Sequence, residues 1–418
     1  MSKRPSTLIM QNQALPQNLF KFGFILFVFF SPFSVAGSQI GLAIAILGWL
    51  LKFTQQKKIL WERSFWDRPI LYYLGASLVS VFFSYNFRIS IYAFSNEWLL
   101  LVFFLLVNNL DDLKFSRKLL DILIIVSLVV AFYAIYQHYT GFDPLSQSLP
   151  EEYHLQGTIK WRSTGNFSVP LTYGFHTMIV SLVCFCLASF EEQKNKRIFY
   201  YTASLILVTA NFFTYTRSTQ LAQIFALVII VLLNPKKNRL SQITLLLGYF
   251  ILIFLIDPEI FIRYEQFKKP EDFQQIERLL IWGTSLRIFL AHPILGVGLG
   301  NFAHFYQEYL QEPARIFGHA HNDFLNVAVN AGIIGFFAFL WIWIVAVKFF
   351  KEKYQKYKDR KIKPLILAGL VSVLAFLLAS QFQCYYTDAE DNMILFFIIG
   401  LAVAAEIHST KTKAKKGI

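Results

Sequence analysis

The sequence predicts an all-α polytopic membrane protein with about twelve transmembrane helices. Its 418 residues are 56% hydrophobic and only 16% charged, whereas about 25% of the residues of a typical soluble chain are charged. Apolar stretches long enough to cross a bilayer recur from Phe20 to Ile407, separated by short polar loops. The first stretch is itself long enough to span and no small-residue cleavage site ends it, so we expect no cleaved signal peptide.

Twelve apolar stretches have about the 17–25 residues that a hydrocarbon core roughly 30 Å thick requires. They lie near residues 19–36, 37–53, 69–85, 92–110, 119–139, 171–190, 198–215, 218–234, 240–256, 323–347, 364–383 and 392–408. The first two adjoin, which predicts a tight helical hairpin through Ala36, Gly37 and Ser38.

The basic residues predict how these spans are oriented. Most of the 39 lysines and arginines fall in loops on the same side as the N-terminus, for example in 52–68 and 348–363. The positive-inside rule makes this side cytoplasmic, so both termini are predicted to be cytoplasmic. Topology then explains most of the net charge of +13. Because the basic residues are scattered over separate loops, we expect no nucleic-acid partner.

We expect a single membrane domain over residues 1–418, in which the outer loop 257–322 between the ninth and tenth spans is unusually long. In this loop Pro270, Glu271 and Asp272 predict a helix start, and apolar residues at helical spacing follow. The pattern predicts amphipathic helices that lie on the outer membrane surface over the bundle.

Ionisable residues gather at the outer interface rather than in the middle of the spans. The arginines on this side are Arg162, Arg217, Arg278, Arg287 and Arg315. The positive-inside rule does not favour arginine there. Glu97 and His176 are the main ionisable residues predicted at mid-span. This distribution favours chemistry at the outer interface over transport through the middle of the membrane.

Two segments carry arginines that could bind a phosphate. Arg217 lies in "TYTRSTQL", a minimal turn between two spans, where a fixed guanidinium could bind a phosphate through two parallel hydrogen bonds. The alternative is an arginine that reaches lipid headgroups. Arg278 and Arg287 are nine residues apart, roughly 2.5 helical turns, so they face nearly opposite ways. The "GVGLG" that follows lacks the dinucleotide spacing and predicts a tight turn.

The stretch "GHAHNDFLNVAVNAGIIG", residues 318–335, places two histidines directly before a long apolar run. Asn322 is predicted to cap the helix. The helix N-terminus favours a neutral imidazole at His321, which is the form that a general base requires. Two alternatives remain open. Either the histidines only bond loop carbonyls, or His319 and His321 chelate a metal, for which no further ligands at suitable spacing accompany them.

The last outer loop, "CYYTDAEDN", carries three carboxylates. Asp388, Glu390 and Asp391 could orient a base or balance the outer arginines. A solvated acidic loop is the alternative explanation.

In order and position, these motifs resemble the O-antigen ligase and polymerase superfamily. The His321-Asn322 pair followed by Gly332 matches the His-Asn and glycine hallmark of the superfamily, at the start of a late span. Arg217 and Leu221 match its Arg-x-x-x-Leu motif. Arg278 before "HPILGVGLGNF", and "WRSTGNFSVP" around Arg162, match two further motifs. The chain departs at Phe336, where the superfamily often has glycine, threonine or tyrosine, and in "TRSTQ" in place of Ser-Arg-Gly.

The resemblance implies a helical bundle like that of C-type glycosyltransferases, in the bacterial inner membrane, with its active site facing the periplasm. It implies a glycan donor on undecaprenyl diphosphate, membrane lipid around it, and no cofactor or metal. The acceptor is a sugar hydroxyl of lipid A-core in a ligase, or a glycan chain in a polymerase. Either reaction is metal-independent and inverts the anomeric centre; the ligase belongs to lipopolysaccharide biosynthesis.

The resemblance also assigns roles to residues. The implied catalytic residues are His321 as general base, and Arg217 and Arg278 as a clamp on the leaving diphosphate. The implied substrate-binding residues are Arg162, His319, Asn322, Arg287 and Asp388. Chain size and motif match favour a ligase over a polymerase. A non-enzymatic polysaccharide or lipid transporter is the third hypothesis, and the scarcity of polar residues and paired broken helices at mid-span argues against it.

Overall fold

The computed structural model is a bundle of long helices and describes residues 6–56, 61–110, 112–145, 152–155, 158–259, 273–311 and 315–415. The helices of the bundle are α1 (Ser6–Phe30), α2 (Val35–Gln56), α3 (Asp67–Phe82), α4 (Phe87–Ser95), α5 (Leu101–Asn109), α6 (Leu113–Thr140), α7 (Pro170–Phe190), α8 (Lys194–Phe213), α9 (Arg217–Leu233), α10 (Lys236–Ile256), α13 (Asp323–Lys356), α14 (Lys363–Ala379) and α15 (Ala389–Lys415). Between them lie the hairpin β1 (Glu152–Leu155) and β2 (Thr158–Trp161), and helices α11 (Phe273–Ala291) and α12 (Phe302–Tyr309).

The prediction of an all-α polytopic membrane protein is confirmed, and each of the twelve predicted spans coincides with helix. Within the described segments, seven helices are long and apolar enough to cross a membrane, and three shorter apolar helices match predicted spans. The two remaining predicted spans, 69–85 and 198–215, correspond to α3 and α8. These helices belong neither to the seven long apolar helices nor to the three shorter ones. Some of their polar residues lie inside the bundle, since Ser77 of α3 and Ser204 of α8 are buried.

Contacts between loops identify the two ends of the bundle. At one end, which we call the site end, Asn166 donates to the carbonyl of Phe33, and the Asp323 backbone amide donates to the carbonyl of Ser380. At the opposite end Arg117 forms an ion pair with Glu191. The described parts of the predicted outer loops 141–170 and 257–322, and the turn at Arg217, meet at the site end.

Helix α7 lies at the centre of the bundle and is buried along nearly its whole length. It packs against α8, α9 and α14, and α14 in turn packs against α13 and α15. An apolar helix that is buried all round needs no polar face, which explains why α7 reads as a continuous apolar stretch. Of the two polar mid-span residues, His176 lies on this helix and hydrogen-bonds to Ser127 of α6 (3.1 Å).

The fourth predicted span is not one continuous helix. A turn of 3₁₀-helix, Asn96–Leu100, joins α4 to α5, and it contains Glu97. The Glu97 carboxylate accepts hydrogen bonds from the hydroxyls of Tyr73 (3.2 Å) and Tyr386 (2.8 Å). A 3₁₀ segment inside a helix often marks a functional hinge or a strained sequence, and here it turns the Glu97 carboxylate towards Tyr73 and Tyr386.

Helix α13 is interrupted at Gly332, whose φ of 65° and ψ of −168° are not helical. The backbone amides of Val297 and Gly298 donate to the carbonyls of Val329 and Asn330. That of Ile333 donates to the carbonyl of Pro293. The turn "GVGLG", predicted as a tight turn and confirmed as one, thus pairs with the broken backbone of α13. A Cβ on Gly332 would lie 2.1 Å from the carbonyl oxygen of Ile294.

We therefore expect Gly332→Ala to destabilise the protein by about 3 kcal/mol or more. The substitution combines a left-handed backbone with a collision against backbone atoms, which cannot rotate away. Gly75→Ala is the matched control, because a Cβ on Gly75 meets nothing within 4 Å. The melting temperatures of both variants in detergent measure the difference. Equal melting temperatures would mean that the break in α13 adapts to a side chain.

The large loop has a small core of its own, centred on α11 and α12. Ile281 and Ile288 of α11 pack with Phe302 and Tyr306 of α12, and this cluster includes Val329 of α13. Other apolar side chains of α11 are exposed, namely Leu279, Leu286 and Leu290. This pattern agrees with an amphipathic helix at the membrane surface. The predicted helix start at Pro270, Glu271 and Asp272 lies outside the described residues.

Candidate active site

Three cavities lie side by side at the site end. The arginine cavity, of about 240 Å³, is lined by Arg162, Leu171, Tyr215, Thr216, Arg217, Ser218, Glu277, Arg278, Ile281, Arg315, Phe317, His321 and Gln383. The histidine cavity, of about 520 Å³, shares Leu171, Arg315, Phe317, His321 and Gln383 with it and adds, among others, Thr172, Gly318, His319, Thr387 and Asp388. The amide cavity, of about 210 Å³, shares Gly318, His319 and Thr387 with the histidine cavity.

Four arginines and one histidine converge on the arginine cavity from four separate parts of the chain, since Arg315 and His321 belong to one segment. Arg217 is the first residue of α9 and is only 6% exposed. Arg162 follows β2, and its Nε donates to the carbonyl of Thr214 (2.9 Å). Arg278 comes from α11. Arg315, which the motifs did not single out, lies against the ring of Phe317 (5.7 Å from its centroid).

The turn before Arg217 has an unusual backbone. Tyr215 adopts a left-handed conformation, with φ 53°. Its hydroxyl donates to Asp257 (3.0 Å), and a ring nitrogen of His138 lies 3.1 Å from the same carboxylate oxygen. Non-glycine residues in this conformation cluster at functional sites, where the surrounding structure holds them. Here the side-chain network of Tyr215 holds the turn and so the position of Arg217.

Asp257 is the centre of this network. Burial raises its pKa, but the hydrogen bonds from His138 and Tyr215 and the charge of Lys160 outweigh burial, so the pKa lies below its ordinary value. The ring of His138 also stacks on Phe213, with centroids 3.9 Å apart. Sequence reasoning missed this network because its members come from four distant segments and form no local motif.

His321 has the other left-handed non-glycine backbone among the described residues, with φ 47°. One ring nitrogen, Nδ1, lies 2.6 Å from Oε1 of Gln383. The same Oε1 accepts a hydrogen bond from the backbone amide of Cys384, so it acts as an acceptor towards His321 as well. Nδ1 therefore carries the proton and Nε2 keeps its lone pair. Gln383, which the sequence gave no reason to select, fixes the tautomer.

His321 is also held neutral. Burial lowers its pKa to about 4, and the neighbouring His319, Arg278 and Arg315 act in the same direction. The sequence prediction of a neutral imidazole rested on the helix N-terminus; in the structure, burial is the larger cause. A neutral histidine with a fixed lone pair on Nε2 can accept a proton.

The other predicted site residues divide between the cavities and the scaffold. His319 lines the histidine and amide cavities, and its Nδ1 accepts from the backbone amide of His321 (3.2 Å). Asp388 lines the histidine cavity, where it accepts from Thr172 (3.0 Å). Asn322 caps α13 as predicted, since its Oδ1 accepts from the Leu325 amide (3.0 Å), and it lines none of the three cavities.

Arg287 also lies outside the three cavities. Its guanidinium donates to the hydroxyl of Thr284 one turn earlier in α11 (2.8 Å). This agrees with the sequence argument that Arg278 and Arg287 face opposite ways. The contacts described for Arg287 therefore give no support to a substrate-binding role. Within the described segments, no group of three or more His, Cys, Asp or Glu side chains is placed to hold a metal ion.

Fold and site together define a polytopic helical membrane protein with an arginine- and histidine-lined cavity at one end of the bundle. Residues 202–340 match the sequence model of the O-antigen ligase family. This match confirms the resemblance to the O-antigen ligase and polymerase superfamily over that third of the chain. A comparison with curated proteins gives no match. The matched segment contains Arg217, Arg278 and His321, whereas Arg162 and Asp388 lie outside it.

Proposed function

We propose that this protein is an O-antigen ligase-like glycosyltransferase that transfers a glycan from undecaprenyl diphosphate to a sugar hydroxyl of lipid A-core. The observation that carries the proposal is the arginine cavity, which is lined by His321 together with Arg162, Arg217, Arg278 and Arg315. Guanidinium groups bind phosphate oxygens through paired hydrogen bonds, so this cavity suits a lipid-linked diphosphate.

The chemistry follows from what the two kinds of side chain can do. Nε2 of His321 takes the proton of the acceptor hydroxyl, and that oxygen forms a bond to the anomeric carbon of the donor. The bond from this carbon to the diphosphate oxygen breaks, and the leaving undecaprenyl diphosphate keeps the electron pair. Arg217 and Arg278 stabilise the charge that develops on it, without a metal. A single displacement of this kind inverts the anomeric centre.

The location of the reaction is part of the proposal. If the ion-paired end of the bundle is cytoplasmic, as the positive-inside rule predicts, the three cavities open at the periplasmic face of the inner membrane. A lipid-linked donor could then reach the arginines from the outer leaflet, and the sugar could meet its acceptor outside the hydrocarbon region.

A gel of surface glycolipids from cells that lack the protein tests this function. We expect long glycan to disappear from lipid A-core and to accumulate on the lipid carrier, and only the wild-type gene to restore it. A single repeat unit left on lipid A-core would instead identify a polymerase. Normal glycolipids in the deletion strain, together with impaired flux of a lipid-linked glycan across vesicles, would support the transporter.

A further inference from the structure

The amide cavity has no role in the chemistry described above, yet it adjoins the proposed base. It lies between the 3₁₀ turn of the fourth span, the first half of α13 and the start of α15. Its polar lining includes Asn96, Glu97, Asn326, Asn330 and Asn392, with Tyr73, Tyr386 and Phe302 as aromatic walls. Amides and a carboxylate set among aromatic rings are the groups that hydrogen-bond and pack against a sugar ring.

Two of these amides keep an unused acceptor. Asn330 and Asn392 are only 5% and 6% exposed. Within the described part of the chain, the Oδ1 atoms of both lack a hydrogen-bond partner. Their Nδ2 groups donate to the carbonyls of Asn326 (2.8 Å) and Tyr386 (2.6 Å), which fixes the orientation of each amide. A buried acceptor without a partner is costly unless a ligand or water supplies a donor.

Charge distinguishes this cavity from its neighbour. The arginine cavity holds four arginines. The described residues that line the amide cavity include no lysine or arginine, and they include Glu97. A diphosphate would meet no cation in that lining, while a neutral polyhydroxyl ring would donate hydrogen bonds to Glu97 and to the two amide oxygens. Its volume of about 210 Å³ is suited to one sugar ring rather than a chain.

Shared lining residues place the amide, histidine and arginine cavities in a row. It shares Gly318, His319 and Thr387 with the histidine cavity, which in turn shares His321 with the arginine cavity. His319 Nδ1 accepts from a backbone amide, so Nε2 of this ring carries the proton and can donate to a ligand hydroxyl. The diphosphate would lie at one end of the row, the base in the middle and a neutral sugar at the other end.

We propose that the amide cavity is the acceptor subsite, which holds one neutral monosaccharide ring of the acceptor through Asn330, Asn392 and Glu97 and directs its hydroxyl towards His321. This role as acceptor site rests on the proposed transferase function. Sugar binding itself depends only on the lining of the cavity, so it can be measured without the reaction.

The test measures sugar and diphosphate binding separately on the full chain in lipid nanodiscs. Methyl glycosides of hexoses and heptoses serve as sugar probes in saturation-transfer NMR, and farnesyl diphosphate serves as the diphosphate probe in calorimetry. We expect Asn330→Leu, Asn392→Leu and Glu97→Gln each to weaken sugar binding by roughly tenfold and to leave farnesyl diphosphate binding within about twofold of wild type. Arg278→Gln should do the reverse.

Asn234→Leu is the matched control. Asn234 is likewise buried, and its Oδ1 likewise has no partner within the described segments, but it lies at the junction of α9 and α10, away from the three cavities. It should change neither affinity. Retained farnesyl diphosphate binding shows that a variant is folded.

Three outcomes would overturn the proposal: a wild-type protein that binds farnesyl diphosphate but none of the sugars, sugar binding that survives all three substitutions, or joint loss of both affinities in each variant. Intact sugar binding through these residues, in a protein that transfers no glycan, would instead contradict the proposed function and the acceptor role.

Discussion

Replacing His321 by glutamine should reduce glycan transfer by about 10²–10⁴-fold, the range that a general base contributes. Glutamine can still hydrogen-bond to Gln383, but it has no lone pair basic enough to take a proton from the acceptor hydroxyl. The measurement is the rate of transfer from a lipid-diphosphate glycan to lipid A-core by purified protein in vesicles. Farnesyl diphosphate binding should persist, because the arginines remain in place.

His304→Gln is the matched control for this substitution. His304 lies in the same large loop, but it is exposed, stacks on Tyr85 (centroids 4.3 Å apart) and lines none of the three cavities. Its replacement should leave transfer near the wild-type rate. A wild-type rate in His321→Gln as well would reduce the histidine to a positioning residue and remove the proposed base from the mechanism.

The pH dependence of transfer distinguishes a base from a positioning residue. Because burial lowers the pKa of His321 to about 4, the free enzyme keeps the base form well below the ordinary histidine range. The acid limb of kcat/KM assigned to this residue should therefore lie far below pH 6.5. A bound diphosphate adds negative charge nearby and favours the imidazolium, so the limb in kcat should lie at higher pH. In His321→Gln both limbs should disappear.

The positions of the membrane spans could be predicted from the sequence because each depends on local composition. Hydrophobic length and loop charge are read directly along the chain. The 3₁₀ turn at Asn96–Leu100 was not predicted. Ser95, Asn96 and Glu97 interrupt the apolar run there, but three polar residues in a span do not by themselves specify a change of helix type. What stabilises the turn is long-range: Glu97 accepts hydrogen bonds from Tyr73 on α3 and from Tyr386, which is almost 300 positions away in the chain.

The candidate site shows the same division. Arg162, Arg217, Arg278 and His321 were selected from local motifs, and the structure places all four around one cavity. Gln383 was missed, although it sets the tautomer of His321, because a glutamine after an apolar span carries no local signal. Asn322 matched the motif for a different reason, since its side chain caps α13 and does not face the cavities.

The second large effect is expected at Arg278. We expect Arg278→Gln to lower kcat by about 10²–10³-fold, because the leaving diphosphate loses a charged donor that acts most strongly in the transition state. Arg278 lines the arginine cavity, and its charge also contributes to the low pKa of His321. The variant should therefore show a raised pKa for His321 in the kcat/KM profile, which a merely structural residue would not produce.

Arg287→Gln provides the comparison within the same helix. Arg287 lies nine residues further along α11, donates to Thr284 and lines none of the three cavities, so its loss should change kcat by no more than a few fold. Equal losses in the two variants would mean that α11 acts through its fold and not through a guanidinium at the diphosphate.

Chelation by EDTA tests the remaining possibility, that a metal ion neutralises the leaving diphosphate. If arginines alone neutralise the leaving group, the wild-type rate is unchanged by EDTA, whereas a rate abolished by EDTA and restored by a divalent cation would assign that charge to a metal.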